Sequence, residues 1–255
     1  MHKTFRLEKN DAYWDRRWSA YEKDADNFEN KEIYPIKYAE MAIKKGDKIA
    51  ELGCGLGRVF KYYHRLGYDI IATDNSKPAI EKLQKEFGAK VVLVGVEAMP
   101  FKDGQFDVIL AFGVFHNIEK KMEDAIKETL RCMKRGGKFC ISMQPNNMEM
   151  RMYNLCHHVG LKMQNKKGHF HKWLVGKDEF KAILERLGCD VENIFHARNV
   201  PALWRIPFLR LNKMEIESRS SGYELNRVGK RIDNILTKLF PESFSNVLIY
   251  MGRKK

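Results

Sequence analysis

Between Lys48 and Met143 short apolar runs alternate with helical patterns. This alternation restricts the fold more than any other feature, because it is the pattern of a parallel sheet built from strand-helix-strand units. Five strands are predicted: Lys48 to Leu52, Tyr68 to Thr73, Ala89 to Val94, Phe106 to Phe112 and Lys138 to Met143. The helices between them carry start and stop signals. Arg58 to Leu66 stops at Gly67, and Ser76 caps a helix that has Pro78 in its first turn and ends at Gly88. Met122 to Met133 runs into Lys134-Arg-Gly-Gly137, where cations meet the negative helix end and a glycine suits a left-handed cap. Beyond Met143, the Met-, Asn- and His-rich stretch Gln144 to Val175 is expected to be an irregular insertion over the C-terminal edge of the sheet. A helix (Lys177 to Leu187), a strand (Val191 to Ala197), a Pro/Trp/Arg-rich segment (Val200 to Arg210), a helix (Val228 to Phe240) and a strand (Asn246 to Met251) follow. The last two strands bring the count to seven.

The site is marked by Glu51-Leu-Gly-Cys-Gly-Leu-Gly57, at the end of the first strand and the start of a helix. Glycines there let backbone amides approach a ligand that side chains would block, so Gly53, Gly55 and Gly57 indicate a nucleotide-type site. The spacing is not that of the dinucleotide fingerprint, whose third glycine follows two intervening residues. Glu51 also argues against a pyrophosphate: a carboxylate there repels phosphate and attracts an ammonium or sulfonium. Asp74, 21 residues beyond Gly53 and at the end of the second strand, can accept both hydroxyls of a ribose.

From about Trp14 to Met143 the chain resembles the class I S-adenosylmethionine-dependent methyltransferases, with a core of the type 11/25 kind. The glycine motif corresponds to Glu51–Gly57 and the ribose-binding acid to Asp74. The family's Asp-Ala-Glu-Ala-Leu-Pro-Phe corresponds to Gly95-Val-Glu-Ala-Met-Pro-Phe101, and its Leu-Arg-x-Leu-Lys-Pro-Gly-Gly turn to Leu130-Arg-Cys-Met-Lys-Arg-Gly-Gly137. The resemblance implies a Rossmann-like α/β fold: a seven-stranded, mostly parallel sheet of order 3-2-1-4-5-7-6, the last strand antiparallel, with helices on both faces. It implies S-adenosylmethionine as cofactor, held by Glu51, Gly53, Cys54, Gly55, Gly57, Asp74, Asn75, Phe112 and Gly113. The family's adenine-binding aspartate falls on Gly95, which transfers that task to Val96 and Glu97. Tyr13-Trp-Asp-Arg-Arg-Trp18 resembles the tryptophan helix covering the cofactor in thiopurine methyltransferase and its relatives. Trp14 and Trp18 can meet a sulfonium by cation-π attraction, or, four residues apart, form only the packed face of an amphipathic helix.

Methyl transfer asks the protein chiefly for in-line positioning, and for a base only where the acceptor loses a proton. His116, in the loop after the fourth strand, is the candidate base, with packing beside the cofactor as its plainer role. Charge marks the acceptor side. Of the net +13, residues 1–150 contribute +3 (26 Lys+Arg against 23 Asp+Glu) and residues 151–255 contribute +10 (20 against 10). Arg151 to Lys177 holds six Lys/Arg, four histidines and no acid. An anionic acceptor is therefore expected, with His157, His169, His171 and Arg205 as candidate contacts and Arg198, Trp204 and Arg210 in the same wall. A solvated basic loop is the plainer reading. Cys156-His-His158 with His169-x-His171 fits no tight ligand template, so no metal is expected.

The expected acceptor is a small or carrier-linked molecule such as a sugar, sugar phosphate or lipid-linked intermediate, compatible with surface-polysaccharide methyltransferases. An RNA acceptor is the alternative that the basic half permits, although Ala111 to Phe115 lacks the Asn/Asp-Pro-Pro-aromatic turn of amino-group base methylases. A silent fold using the pocket for regulation is the third. One domain is expected, comprising an N-terminal helical cover (1–45), a cofactor core (46–143), a substrate cap (144–176) and C-terminal helices and strands (177–255). Five widely spaced cysteines without Cys-x-x-Cys, no apolar leader at the N-terminus and no membrane-length apolar run fit a cytoplasmic protein.

Overall fold

The computed structural model describes residues 1–20, 34–163, 168–197, 200, 202–203, 206–210 and 225–255, with the side chains of 156–163 excepted. Its strands are β1 (His2–Arg6), β2 (Lys48–Leu52), β3 (Asp69–Asp74), β4 (Val91–Leu93), β5 (Phe106–Phe112), β6 (Met133–Met143), β7 (His169–Leu174), β8 (Cys189–Ala197) and β9 (Val247–Lys254). The helices are α1 (Asn10–Ala20), α2 (Tyr34–Ala42), α3 (Arg58–Arg65), α4 (Lys77–Phe87), α5 (Met122–Cys132), α6 (Met148–Met163), α7 (Lys177–Arg186), α8 (Arg227–Leu239) and the single turn α9 (Pro241–Phe244).

Seven strands form one sheet in the order β4-β3-β2-β5-β6-β9-β8, which is 3-2-1-4-5-7-6 counted along the core. Only β9 runs against its neighbours. The inner strands are buried on both faces, which is why they read as apolar runs without alternation. Ile49, Val108, Leu110 and Cys140 join the core beneath α2, α3 and α4. Ala50, Leu52, Ile109, Ala111 and Ile141 join the opposite core beneath α5 and α7. Among the described residues no helix is long and apolar enough to cross a membrane.

The structure departs from the sequence reading in four places. Gln144 to Val175 is not irregular: it contains α6 and β7, and β7 pairs antiparallel with β1, so the N-terminal cover opens with a strand. The third strand is cut to three residues by a 3-10 turn at Gly88–Lys90. Helix α5 ends at Cys132 in an extended Met133, not in a glycine cap. The ladder then jumps from Phe106↔Met133 to Val108↔Lys138, and Gly136 takes its positive φ of 71° inside the resulting bulge. Finally, Ser76 stands at the N-cap of α4 but makes no cap hydrogen bond; its hydroxyl donates to Asp15 Oδ1 at 2.6 Å, tying α1 to the sheet.

Candidate functional site

A cavity of about 750 Å3 opens at the C-terminal ends of β2, β3, β5 and β6, where parallel sheets gather ligands. Its floor is the turn between β2 and α3. Gly53, Gly55 and Gly57 have φ of 62°, 55° and 73°, a left-handed run that other residues adopt only under strain. Space adds a second requirement at Gly55, where a Cβ would stand 2.7 Å from Trp18 Cζ2. The indole of Trp18 therefore lies directly on the turn.

Two buried carboxyl groups flank this turn. Asp74, 7% exposed, accepts from the Gly55 amide (2.7 Å, Oδ2) and the Ser76 amide (2.8 Å, Oδ1). The Asn75 amide also acts on the group, and the four lone-pair sites of a carboxylate leave it capacity for a further donor. Burial raises its pKa, against the pull of those amides. Glu51, 4% exposed, accepts from the Phe60 amide in the first turn of α3 (2.8 Å). Burial pushes its pKa up to about 8, with Asp74's charge adding to the rise. The sequence reading took Glu51 as a standing negative charge; burial outweighs the pull of Arg58, and the group is protonated at neutral pH.

The loop after β4 carries Gly95, Val96 and Glu97, all on the cavity wall. Arg131 holds this loop by donating to Met99 O (3.1 Å) and Phe101 O (2.8 Å), while Glu128 accepts from the Met99 amide (2.8 Å). A Cβ built on Gly95 would meet Glu97 Oε2 at 2.7 Å. The Glu97 carboxylate thus occupies the volume that a side chain at position 95 would fill.

On the other side, Phe112 and Gly113 end β5, and the Gly113 amide donates to Ser142 Oγ (2.8 Å) at the end of β6. His116 lines the cavity yet is only 6% exposed. Burial, aided by the charge of Lys172, lowers its pKa to about 3, and its Nδ1 has no hydrogen-bond partner. A neutral imidazole with so low a pKa is a feeble base, which favours the plainer of the two roles expected for His116, packing beside the cofactor.

The cover is α1. Trp14 and Trp18 both line the cavity, and they stack on each other (centroids 5.5 Å apart, planes 20°) with Arg17 over both rings. Asn10 fastens the cover by donating from Nδ2 to Asn117 O (3.0 Å) and His171 O (2.9 Å).

Of the sequence-predicted site residues, Trp14, Trp18, Glu51, Gly53, Cys54, Gly55, Asp74, Asn75, Val96, Glu97, Phe112, Gly113, His116 and His169 come together around this cavity. Gly57 stands behind it, where a Cβ would meet Leu83 at 3.1 Å. His171 contributes its carbonyl to the Asn10 clasp and is not part of the wall. The His157 side chain, Arg198, Trp204 and Arg205 lie outside the described residues. Asn10, Arg17, Ser142 and Gln144 are wall residues that the sequence reading missed. Asn10 and Arg17 were legible in part, since they sit on the same helix as the two tryptophans; Ser142 closes the fifth strand and carries no motif.

Residues 50–141 match the family described as a methyltransferase domain. A protein of Bos taurus named "Probable tRNA methyltransferase 9B" is 35% identical over 103 residues, 38% of this chain and 21% of that protein. An uncharacterised protein of Methanocaldococcus jannaschii is 35% identical over 135 residues, 51% of this chain and 60% of its relative. The chain thus spans about a fifth of the first relative's length and three fifths of the second's. Among solved structures, a Thermotoga maritima protein described as a SAM-dependent methyltransferase, possible histamine N-methyltransferase, shares the fold with a TM-score of 0.58. The identity is 16%, over 96% of this chain and 99% of that one.

Proposed function

We propose, from the premise that this chain belongs to the class I S-adenosylmethionine-dependent methyltransferases, that its cavity binds S-adenosylmethionine and that it methylates a small or carrier-linked anionic acceptor. The observation that carries this reading is the pair of buried carboxyls, Glu51 and Asp74, on either side of a left-handed glycine turn. The residues fit the cofactor: Asp74 faces the cavity with acceptor capacity for ribose hydroxyls, the glycines leave a cradle without side chains, and Glu51 has no ion-pair partner among the described residues. When bound, S-adenosylmethionine supplies a methyl group already activated by its sulfonium.

The chain's own residues then position and exclude. Asp74 orients the ribose and Glu51 the amino-acid ammonium, while Trp18 keeps water from the glycine turn. Glu97 takes over adenine recognition: its carboxylate lies 2.7 Å from where a Cβ at 95 would stand, on the same stretch of the cavity wall. Gly95→Asp alone and Glu97→Ala alone should each weaken cofactor binding, on the order of tenfold, the first by a clash and the second by a lost hydrogen bond. The double variant should bind better than either, since the backbone at 95 is not left-handed and accepts a side chain. Calorimetry on the four proteins checks this, and additive losses would refute the exchange.

An anionic acceptor is supported by the cavity lining, where, once Glu51, Asp74 and Glu97 are assigned to the cofactor, Lys9, Arg17, Arg58 and Lys120 stand against Asp11 and Glu119. His116 serves here as a neutral neighbour of the acceptor. His116→Ala should lower kcat by less than about tenfold and leave the pH-rate profile between pH 5 and 8 unchanged, because the group is neutral throughout that range. An inflection in that range that vanishes in the variant would restore the base role.

RNA is the second reading, favoured by the name of the Bos taurus relative and by the basic second half. Transfer of labelled methyl into fractionated cell extract separates the two. Label in small molecules, glycans or lipids supports the first reading; label in RNA with no other product replaces it.

A further inference from the structure

We propose that the outer face of α8 docks on a membrane surface rich in anionic lipid. Asn226 caps this helix by accepting from the Gly229 amide (2.9 Å). Gly229 is buried so closely that a Cβ would stand 2.6 Å from Leu209 O. Ile232 and Leu236 pack from the same side onto Val200, Leu203 and Leu209. That contact fixes which way the helix faces.

With 3.6 residues per turn, Val228, Ile235 and Leu239 fall within about 40° of one another, immediately beside the packed side. They are nevertheless 58%, 55% and 63% exposed. The apolar stripe of α8 is therefore wider than the core that covers it. An exposed phenylalanine stands at each end: Phe208 (77%), whose carbonyl accepts from Asn226, and Phe240 (56%). The adjoining sector holds Arg227, Arg231 and Lys238, all exposed, along about 17 Å of helix.

An apolar stripe bordered by a row of cations is the arrangement of helices that lie in a lipid interface, where acyl chains take the stripe and anionic headgroups take the cations. The charge row selects this occupant over others. A second copy of the chain, meeting face to face with the helices antiparallel, would set like-charged rows side by side. Nucleic acid would pair with the cations but leave five large apolar side chains against a phosphate backbone. This surface is independent of the cofactor cavity, so the proposal stands or falls apart from the acceptor.

The test is co-sedimentation of the full chain with vesicles of phosphatidylcholine alone and of phosphatidylcholine with phosphatidylglycerol. Partition onto the anionic vesicles is expected to exceed that onto the neutral ones by about tenfold or more, and to fall with salt. Ile235→Asp with Leu239→Asp should remove it, and so, separately, should Arg227→Glu with Arg231→Glu. All four positions are exposed, so the melting temperature and S-adenosylmethionine affinity should stay unchanged in both variants. Equal partition onto the two vesicles, binding that survives both variants, or a solution dimer that Ile235→Asp dissociates would each overturn the proposal.

Discussion

Replacing Asp74 by alanine is expected to raise the dissociation constant for S-adenosylmethionine by at least about 100-fold, because one carboxylate does two things. Its oxygens hold the Gly55 and Ser76 amides at 2.7 and 2.8 Å, fixing the left-handed turn against the end of β3. The same oxygens are proposed to accept the ribose hydroxyls. Hydrogen bonds to a charged acceptor contribute about 1.5–3 kcal/mol each, and about 1.4 kcal/mol is a factor of ten, so two lost ribose contacts already reach that figure. Loosening of the glycine turn adds to it. Asp74→Asn separates the contributions: Asn keeps the volume and one acceptor oxygen, and should lose less than alanine. Titration calorimetry with S-adenosylmethionine, beside a thermal melt of each free protein, provides the measurement. Unchanged affinity in a folded Asp74→Ala protein would remove the ribose site from this position.

Asp74 and Glu51 were legible in sequence because each sits at or beside the end of an apolar run that could only be an inner strand, and Glu51 is followed by glycines with no other reason to be there. β2 and β5 begin and end where the apolar runs do, since burial on both faces keeps most of their residues apolar, with Lys48 and Glu51 the exceptions in β2 and Asp107 in β5. The cap was legible only in part. β7 pairs with His2–Arg6 across more than 160 residues, and no local pattern announces a partner so distant. Its inward face is Phe170, Lys172 and Leu174, so a buried lysine interrupts the alternation by which strands are recognised. One of the two carbonyls of the Asn10 clasp, that of His171, is placed by this same strand, and the other, that of Asn117, by the turn after β5. The charge state of Glu51 was also hidden, because sequence gives the residue and its neighbours but not the loss of water around it.

That hidden charge state yields a second large effect: cofactor affinity should rise about tenfold per pH unit from pH 6 toward pH 8. In the free protein Glu51 holds its proton up to about pH 8, whereas beside the cofactor's ammonium it must be ionised. Binding below that pH therefore releases a proton, and calorimetry in buffers of different ionisation enthalpy should count close to one at pH 6.5. Above pH 8 the rise should reverse, since an α-amino group loses its own charge at about 7.7–8.0. Stability follows the same linkage. A carboxyl raised above its ordinary value of 4.5 leaves the folded state with more bound protons, so its burden on stability begins above that value and is complete above about 8. The thermal stabilisation conferred by S-adenosylmethionine should accordingly grow between pH 6 and 8. Glu51→Gln keeps an acceptor for the Phe60 amide and should make the free protein more stable at pH 8, bind the cofactor more weakly, and lose the pH slope. The nucleoside 5′-methylthioadenosine, which has no amino-acid portion, should bind with no such slope even to the unaltered protein. If the nucleoside and the full cofactor showed the same pH dependence, Glu51 would not be the ammonium's partner, and the reading of the glycine motif as a site for a cationic amino acid would lose its main support.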